Sequence, residues 1–199
     1  MMAHDAESGN SPSLASLPDS LLALARQAAA DGLAAHEAEA AIFKAVLDLG
    51  KEAFALFLRL SGTGDLGEEV ALDDASKAFR LPEHHARPCR SVFGDFSIIR
   101  ACYGSREGQR IVFVPLDARL RLPEGGYSYL LQGWDAALGS ECAFARVAET
   151  LERVIGVKQP VDSLERNIRH MAGAAEAFRE TRPLPAPEEE GEVFVASAD

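Results

Sequence analysis

The spacing of apolar residues changes twice along this chain of 199 residues. Near both ends, apolar residues recur every three or four positions, which is typical of amphipathic helices. Between Lys77 and Pro115 they alternate with polar residues, which is typical of half-buried strands. We therefore predict an α+β fold that is mainly helical: a helical hairpin, a small antiparallel sheet, a helix-turn-helix and a last, lone strand.

The N-terminal third predicts a hairpin of two helices. The first helix is rich in Ala, begins near Asp19 and ends at Gly32, and the second spans residues 34–60. Residues 1–17 are rich in Ser, Gly and Asp, so we expect them to be disordered. Residues 18–67 form the predicted hairpin, and the usual role of such a unit is packing or self-association.

The segment 61–70, SGTGDLGEEV, contains a literal G-x-G-x-x-G pattern. A dinucleotide site needs a strand before this pattern and a helix after it. Here the pattern follows a helix and leads into polar sequence. We therefore predict a loop rather than a nucleotide site.

Residues 68–126 predict the small antiparallel β region. Strands are expected at residues 79–81, 91–93, 96–103 and 110–115, and residues 104–108 have the length and glycines of a hairpin loop. Two histidines and two cysteines in this region do not match the spacing of a known metal site, so we predict no metal there. These four residues are His84, His85, Cys89 and Cys102.

Charge is distributed unevenly around a formal net charge of -11. The Arg-rich segment, residues 79–126, has 8 arginines against 5 acidic residues, whereas residues 1–78 have 5 basic and 13 acidic ones. This balance excludes a protein that binds nucleic acid through a general positive field. Arginine suits phosphate or carboxylate groups, and a salt-bridged sheet edge would have the same composition.

Hydropathy and cysteine usage bear on the compartment. The sequence has no apolar run of 18 residues and no secretory leader at its start. Its three cysteines are widely spaced and form no C-x-x-C pair. We therefore expect a cytoplasmic protein with reduced thiols and no membrane partner.

Residues 127–182 predict a helix-turn-helix region. A short helix over 127–138 contains Trp134, which we expect in the core. The next helix is predicted to start after a Ser140 cap and to end at Gly156. A third helix is predicted to open at Asp162 with a variant of the capping box.

The third helix has one apolar face and one face suited to DNA. At 100° per residue, the side opposite Leu164 carries two arginines and a histidine, with an asparagine beside them. Arg and Asn match the edges of guanine and adenine, whereas other basic residues nearby could hold phosphates. A hairpin with a solvated polar face would show the same pattern. The candidate DNA-contacting residues are Arg90, Arg100, Arg153, Lys158, Arg166, Asn167, Arg169 and His170.

An acidic, Pro-rich linker over residues 183–191 precedes a predicted strand, EVFVASAD, at 192–199. From about residue 30 onward, the chain resembles the ISKra-type insertion-sequence transposases, which belong to the DDE class. The resemblance rests on HEAEAAIFKAVLDLGKEAF, SGTGDLGEEV, CRSVFGDFSIIRACYGSREGQRIVFVPLDARLRLP, YSYLLQGWD, VDSLERNIRHMA and EEEGEVFVASAD.

The resemblance implies the N-terminal portion of a transposase, followed by an RNase H-like catalytic domain. Residues 192–199 match the first strand of that domain, and Asp199 matches its first catalytic carboxylate. The full-length family uses Mg²⁺, which several carboxylates must hold together. The matching second and third carboxylates do not occur in this sequence. We therefore expect no enzyme activity and no cofactor for this chain on its own.

Two functions remain open at this point. The first is a DNA-binding fragment that recognises the double-stranded ends of its insertion sequence. The alternative is a protein-interaction or regulatory module that self-associates or binds full-length transposase. The acidic character of residues 1–78 favours the alternative, because it opposes contact with phosphate.

Overall fold

The computed structural model describes residues 17–73, 76–105 and 110–182, and its fold is α+β and mainly helical, as predicted. In these residues the helices are α1 (Leu17–Ala30), α2 (Ala35–Leu60), α3 (Pro115–Leu120), α4 (Tyr129–Gly139), α5 (Phe144–Ile155) and α6 (Val161–Thr181). The strands are β1 (Glu69–Ala71), β2 (Lys77–Arg80), β3 (His85–Ser91), β4 (Gly94–Arg100), β5 (Tyr103–Gly104) and β6 (Ile111–Phe113). None of the described helices combines the length and the apolar character that a membrane crossing needs.

Three sequence predictions concern residues outside this description. Disorder was predicted for residues 1–17; residues 1–16 lie outside the described residues, and residue 17 already begins α1. The acidic linker (183–191) and the C-terminal strand (192–199) also lie outside the described residues.

The predicted helical hairpin is confirmed, and it has almost no core of its own. α1 packs against α2, and the turn between them places Gly32 at a φ of 67°. At the start of α2, the Glu37 carboxylate accepts a hydrogen bond from the backbone N–H of Ala34 at 3.1 Å. Among the described side chains of α1 and α2, only Ala28 and Leu58 are buried. The hairpin therefore leaves several large apolar side chains exposed, namely Leu22, Phe43, Val46, Phe57 and Leu60.

The β region forms two sheets rather than one. Four strands pair in the antiparallel order β1-β2-β5-β6, and β3 pairs only with β4 among the described strands. The predicted strand at 96–103 is divided, because the chain leaves β4 after Arg100 and joins the other sheet at Tyr103. The crossing is held by backbone bonds from Ala101 to Thr63 at 2.9 Å and from Leu81 to Cys102 at 2.8 Å.

A second prediction, the strand at residues 91–93, is wrong because of the central hairpin, which consists of β3 and β4. Residues 91–93 were expected to form a strand, but Ser91 is the last residue of β3 and residues 92–93 form the turn to β4. The Ser91 hydroxyl accepts a hydrogen bond from the backbone N–H of Phe93 at 3.0 Å, and Gly94 has a φ of 109°. A serine that bonds the backbone two residues ahead favours a turn over a strand.

Three further elements in this region, β1, β3 and α3, were not expected from the sequence, and β1 begins inside the segment 61–70 that was predicted to be a loop. β3 contains Pro88, which has no N–H to donate; on the side away from β4, β3 pairs only through a single bridge of Arg90 with Tyr127 among the described residues, so the proline interrupts no ladder there. α3 begins at Pro115, whose fixed φ suits the first position of a helix. The predicted strand at 110–115 consequently ends at Phe113.

The three-helix unit, α4 to α6, confirms the predicted order of helix, turn and helix. Each of the three helices packs against the other two. Their shared core contains Leu131 from α4, Val147 and Leu151 from α5, and Leu164 from α6. The connection from α5 to α6 spans residues 156–160, which is slightly longer than the three or four residues usual in a helix-turn-helix.

Both predicted helix caps in this unit are wrong. Ser140 follows α4, where its backbone N–H bonds to the carbonyl of Ala136, and α5 begins only at Phe144. α6 begins at Val161 without a side-chain cap, so Asp162 lies inside the first turn. Proline at the preceding position supplies the extended backbone that starts this helix.

The prediction that Trp134 anchors the core is also wrong. Its side chain remains 39% exposed. The buried positions of α4 are Leu131, Gln132 and Asp135, and Trp134 lies beside that face. In contrast, Gly156 ends α5 as predicted, at a φ of 71°.

A cluster of three charged side chains ties α3 to the central hairpin. The Asp117 carboxylate accepts hydrogen bonds from Arg87, at 2.7 Å, and from Arg100. The side chains of these three residues are only 13–22% exposed. Removing one partner of such a shielded pair leaves an uncompensated charge in a low-dielectric region.

We expect Asp117→Asn to lower the free energy of unfolding by about 3 kcal/mol, the lower end for buried ion pairs because some exposure remains. The matched control is Asp48→Asn, since Asp48 pairs with Lys44 at the surface, where both side chains are more than half exposed. Urea denaturation should show a large loss for the first variant and almost none for the second. Equal losses would contradict a structural role for the Asp117 cluster.

Candidate nucleic-acid interface

The core of the three-helix unit determines which face of α6 is exposed. Leu164 is fully buried, and Ile168, four residues later, packs against the same core. Because a helix turns 100° per residue, the opposite side projects away from α4 and α5. Arg166, Arg169 and His170 lie there and are exposed, as the sequence predicted.

The contacts of these exposed side chains are local and weak. Arg166 donates to the Ser163 hydroxyl at 3.1 Å, and Arg169 pairs with Glu165 at 2.6 Å. The Arg169 side chain is 79% exposed, and pairs at that exposure contribute little to stability. Both guanidinium groups can therefore exchange their present partners for phosphate or base acceptors.

An open groove runs beside this face, between α6 and the N-terminal end of α4. Its volume is about 650 Å³. Arg166, Asn167 and His170 line it from α6. The other side is formed by α4 and by the loop before it, mainly Tyr129, Gln132 and Glu124. The structure thus brings three of the predicted site residues to one groove.

Asn167 differs from its neighbours on α6. Its amide nitrogen, Nδ2, is buried and has no hydrogen-bond partner among the described residues. Across the groove, Gln132 donates to the carbonyl of Tyr127 at 2.8 Å, which fixes its side chain. Tyr129 is 64% exposed at the rim. Neither Tyr129 nor Gln132 was predicted from the sequence, since no spacing relates them to α6.

Two other predicted residues lie away from this groove. Lys158, in the turn before α6, is 80% exposed, and its Nζ lies 3.3 Å from Glu152. Arg153, near the end of α5, lines a separate cleft with Lys44 and Lys51 of α2. Lys158 remains open to a phosphate, whereas Arg153 faces the helical hairpin.

Arg90 and Arg100 are engaged by other residues of the same chain. Arg90 donates to both carboxylate oxygens of Asp95, at 2.5 and 2.9 Å, and to the carbonyl of Lys158 at 2.6 Å. Its hydrogen bond with Asp95 raises the pKa of Arg90 and lowers the pKa of Asp95. Arg100 is held by Asp117. We therefore leave both arginines out of the proposed interface.

A buried polar pair holds the turn against α4. Gln159, in the turn, donates to Oδ2 of Asp135 at 2.9 Å. Oδ1 of Asp135 and Oε1 of Gln159 are buried, and neither has a hydrogen-bond partner in the part of the chain that the structure describes. Burial raises the pKa of Asp135, and the hydrogen bond from Gln159 only partly opposes this effect. The turn before α6 is thus held against α4 by the buried carboxyl group of Asp135.

Asp199, the carboxylate that the resemblance makes catalytic, lies outside the described residues. In the part that is described, no group of three or more His, Cys, Asp or Glu side chains is placed to hold a metal ion. No protein-family model matches the chain, and no curated protein or solved structure matches it either.

The Asp135 pair predicts how stability depends on pH. The folded state holds a proton on Asp135 more readily than the unfolded state, whose pKa is near the ordinary 3.8. The stability from this group is therefore complete below pH 3.8 and declines as the pH rises through the raised pKa. Asp135→Asn should remove this decline and stabilise the protein at neutral pH, since an amide can also donate to Gln159.

Urea unfolding of the parent and of Asp135→Asn at several pH values between 4 and 8 measures this effect. The difference in unfolding free energy should grow with pH in favour of the variant. A constant difference across this range would show that Asp135 does not titrate as its burial requires.

Proposed function

We propose that residues 127–182 bind double-stranded DNA, with α6 as the helix that reads bases in the major groove. The observation that carries this proposal is the exposed face of Arg166, Arg169 and His170 on the last helix of a three-helix unit. The major groove admits one α-helix, and Arg pairs there with guanine through two hydrogen bonds. Recognition helices of helix-turn-helix proteins use their N-terminal half in this way.

The resemblance to ISKra-type transposases suggests the DNA target, which in this proposal is the ends of an insertion sequence. In this proposal the chain supplies the recognition part of an ISKra-type transposase, and strand cleavage is not assigned to these residues. Cytoplasmic location belongs to the same proposal. The free thiols of Cys89, Cys102 and Cys142 suit a reducing compartment.

The net negative charge of the chain limits which contacts can provide affinity for DNA. With a net charge of -11, the protein does not attract DNA over long distances. Two acids, Asp162 and Glu165, also lie in the first turns of α6. Affinity must therefore come from a few local contacts, among them Arg166 with a base and Lys158 with a phosphate. Such binding is strongly selective at a small number of positions.

A second function is favoured by a separate observation, the exposed apolar surface of the helical hairpin. Phe57 is 51% and Leu60 is 76% exposed on α2, and α1 exposes Leu22. Among the described side chains of these two helices only Ala28 and Leu58 are buried, so the helices gain little from each other. Self-association, or binding to full-length transposase, would cover this surface.

Base reading by α6 predicts different effects for two cations. Against a duplex that the full chain selects from a random pool, Arg166→Ala should weaken binding by about 1–3 kcal/mol, with little effect on a scrambled duplex. Lys158→Ala should weaken both duplexes alike and reduce the salt slope by about one unit. Fluorescence anisotropy at several salt concentrations measures both effects.

Lys77→Ala is the matched control, because Lys77 is an exposed lysine of β2, paired with Glu69 in the four-stranded sheet. It should bind like the parent. If Arg166→Ala stays folded by circular dichroism and binds both duplexes like the parent, α6 does not read bases. Failure of the selection to enrich any duplex would reject DNA recognition as a whole.

Self-association predicts a change in mass with concentration. If the hairpin pairs with a second copy, light scattering after size exclusion should give twice the monomer mass at micromolar concentrations. The double variant Phe57→Ser, Leu60→Ser should return the chain to a monomer, since it removes exposed apolar surface without entering a core. A monomer at all concentrations would exclude the homodimer.

A further inference from the structure

We propose that the α4–α6 groove binds a single unpaired nucleotide, with its base against Tyr129 and its phosphate near Arg166. This inference rests on the proposed DNA-binding function and adds a second site beside the helix that reads the duplex. The groove, at about 650 Å³, has the size of small-molecule sites and is too small for a duplex.

The side chains around the groove match the parts of a nucleotide. Tyr129 is the aromatic residue that lines the groove and is 64% exposed, so one face of a base can stack on it without moving the core. Met171 and Pro123 add apolar surface. Stacking on a tyrosine needs an unpaired base, because both faces of a paired base are covered by its neighbours in the duplex.

Hydrogen-bonding groups are present and not fully used. The buried Nδ2 of Asn167 lacks an acceptor, and amides are the side chains that pair with base edges. Gln132 uses one amide hydrogen for the Tyr127 carbonyl and borders the same groove. A base reaches this amide nitrogen when the Asn167 side chain turns into the groove, and the new hydrogen bond then removes the cost of an unpaired buried donor.

The charges around the groove place the phosphate. Arg166 lines it from α6, and within the described part of the chain its side chain makes one hydrogen bond, to the Ser163 hydroxyl. His170 lies 3.9 Å from Glu124, whose side chain is 89% exposed at the rim. A phosphate therefore fits at the Arg166 end, away from the Glu124 carboxylate, and it shares this guanidinium with a base of the duplex, because the group has five N–H donors and a base contact uses two.

The groove lies directly beside the face of α6 that is proposed to contact the duplex. Arg166 and His170 belong both to the exposed face of α6 and to the wall of the groove. A strand that leaves a duplex held by α6 would therefore pass the groove, and one of its nucleotides could enter.

The test titrates the full chain with three probes that contain 2-aminopurine, a fluorescent base whose emission is quenched on stacking. The probes are a single strand of ten nucleotides, the perfect duplex of the same sequence and the free 2-aminopurine nucleotide. We expect quenching with the single strand. Tyr129→Ala should weaken this binding about tenfold, within the range for one base stacked on an aromatic side chain, and weaken duplex binding less. Tyr129→Phe keeps the ring and should restore the affinity.

The outcomes separate the two proposals. If the single strand is not quenched, or if Tyr129→Ala binds it like the parent, the nucleotide site is rejected while duplex binding can still be observed. If the single strand is quenched and no duplex binds, the proposed duplex recognition fails and the nucleotide site stands. Quenching of the free nucleotide at the affinity of the strand would assign the groove to free nucleotides rather than to DNA.

Discussion

The central hairpin is the constraint on which the arrangement of the whole molecule depends. In the middle of β3 and β4, Cys89 and Ile98 pack in one core with α2 and α3. At the turn, Val92 packs in the core of the three-helix unit. Arg90 joins these two regions, because its side chain binds Asp95 on β4 and the carbonyl of Lys158 in the turn before α6. The central hairpin of β3 and β4 thus determines where α6 lies relative to the helical hairpin of α1 and α2.

These contacts explain the role of three arginines in the Arg-rich segment, residues 79–126. Arg87, Arg90 and Arg100 are held by carboxylates and carbonyls, so they stabilise the contacts of the hairpin rather than attract phosphate. The cations that remain exposed near the turn and on α6 are few. In our proposal these few residues give selectivity for particular bases, and the groove beside them extends recognition to a nucleotide outside the duplex.

Helical periodicity was enough to predict α1, α2, α5 and α6, and Gly156 marked the end of α5. The sequence did not reveal β3, because Pro88 and three charged or histidine side chains obscure its alternation, and it did not reveal that Trp134 is exposed. The exposed face of α6 followed from its spacing. Tyr129 and the ion pair of Arg100 with Asp117 could not be predicted, since they depend on contacts between segments that only the tertiary fold brings together.

The central claim is that the N-terminal half of α6 contacts DNA, and nuclear magnetic resonance tests it most directly. Backbone amide signals of the full chain are assigned and followed during titration with the duplex selected by the chain. The account predicts the largest changes at residue 158 and at residues 165–170, with small changes in α1, β1 and β2. Changes confined to the helical hairpin, or to the sheet with none in α6, would contradict it.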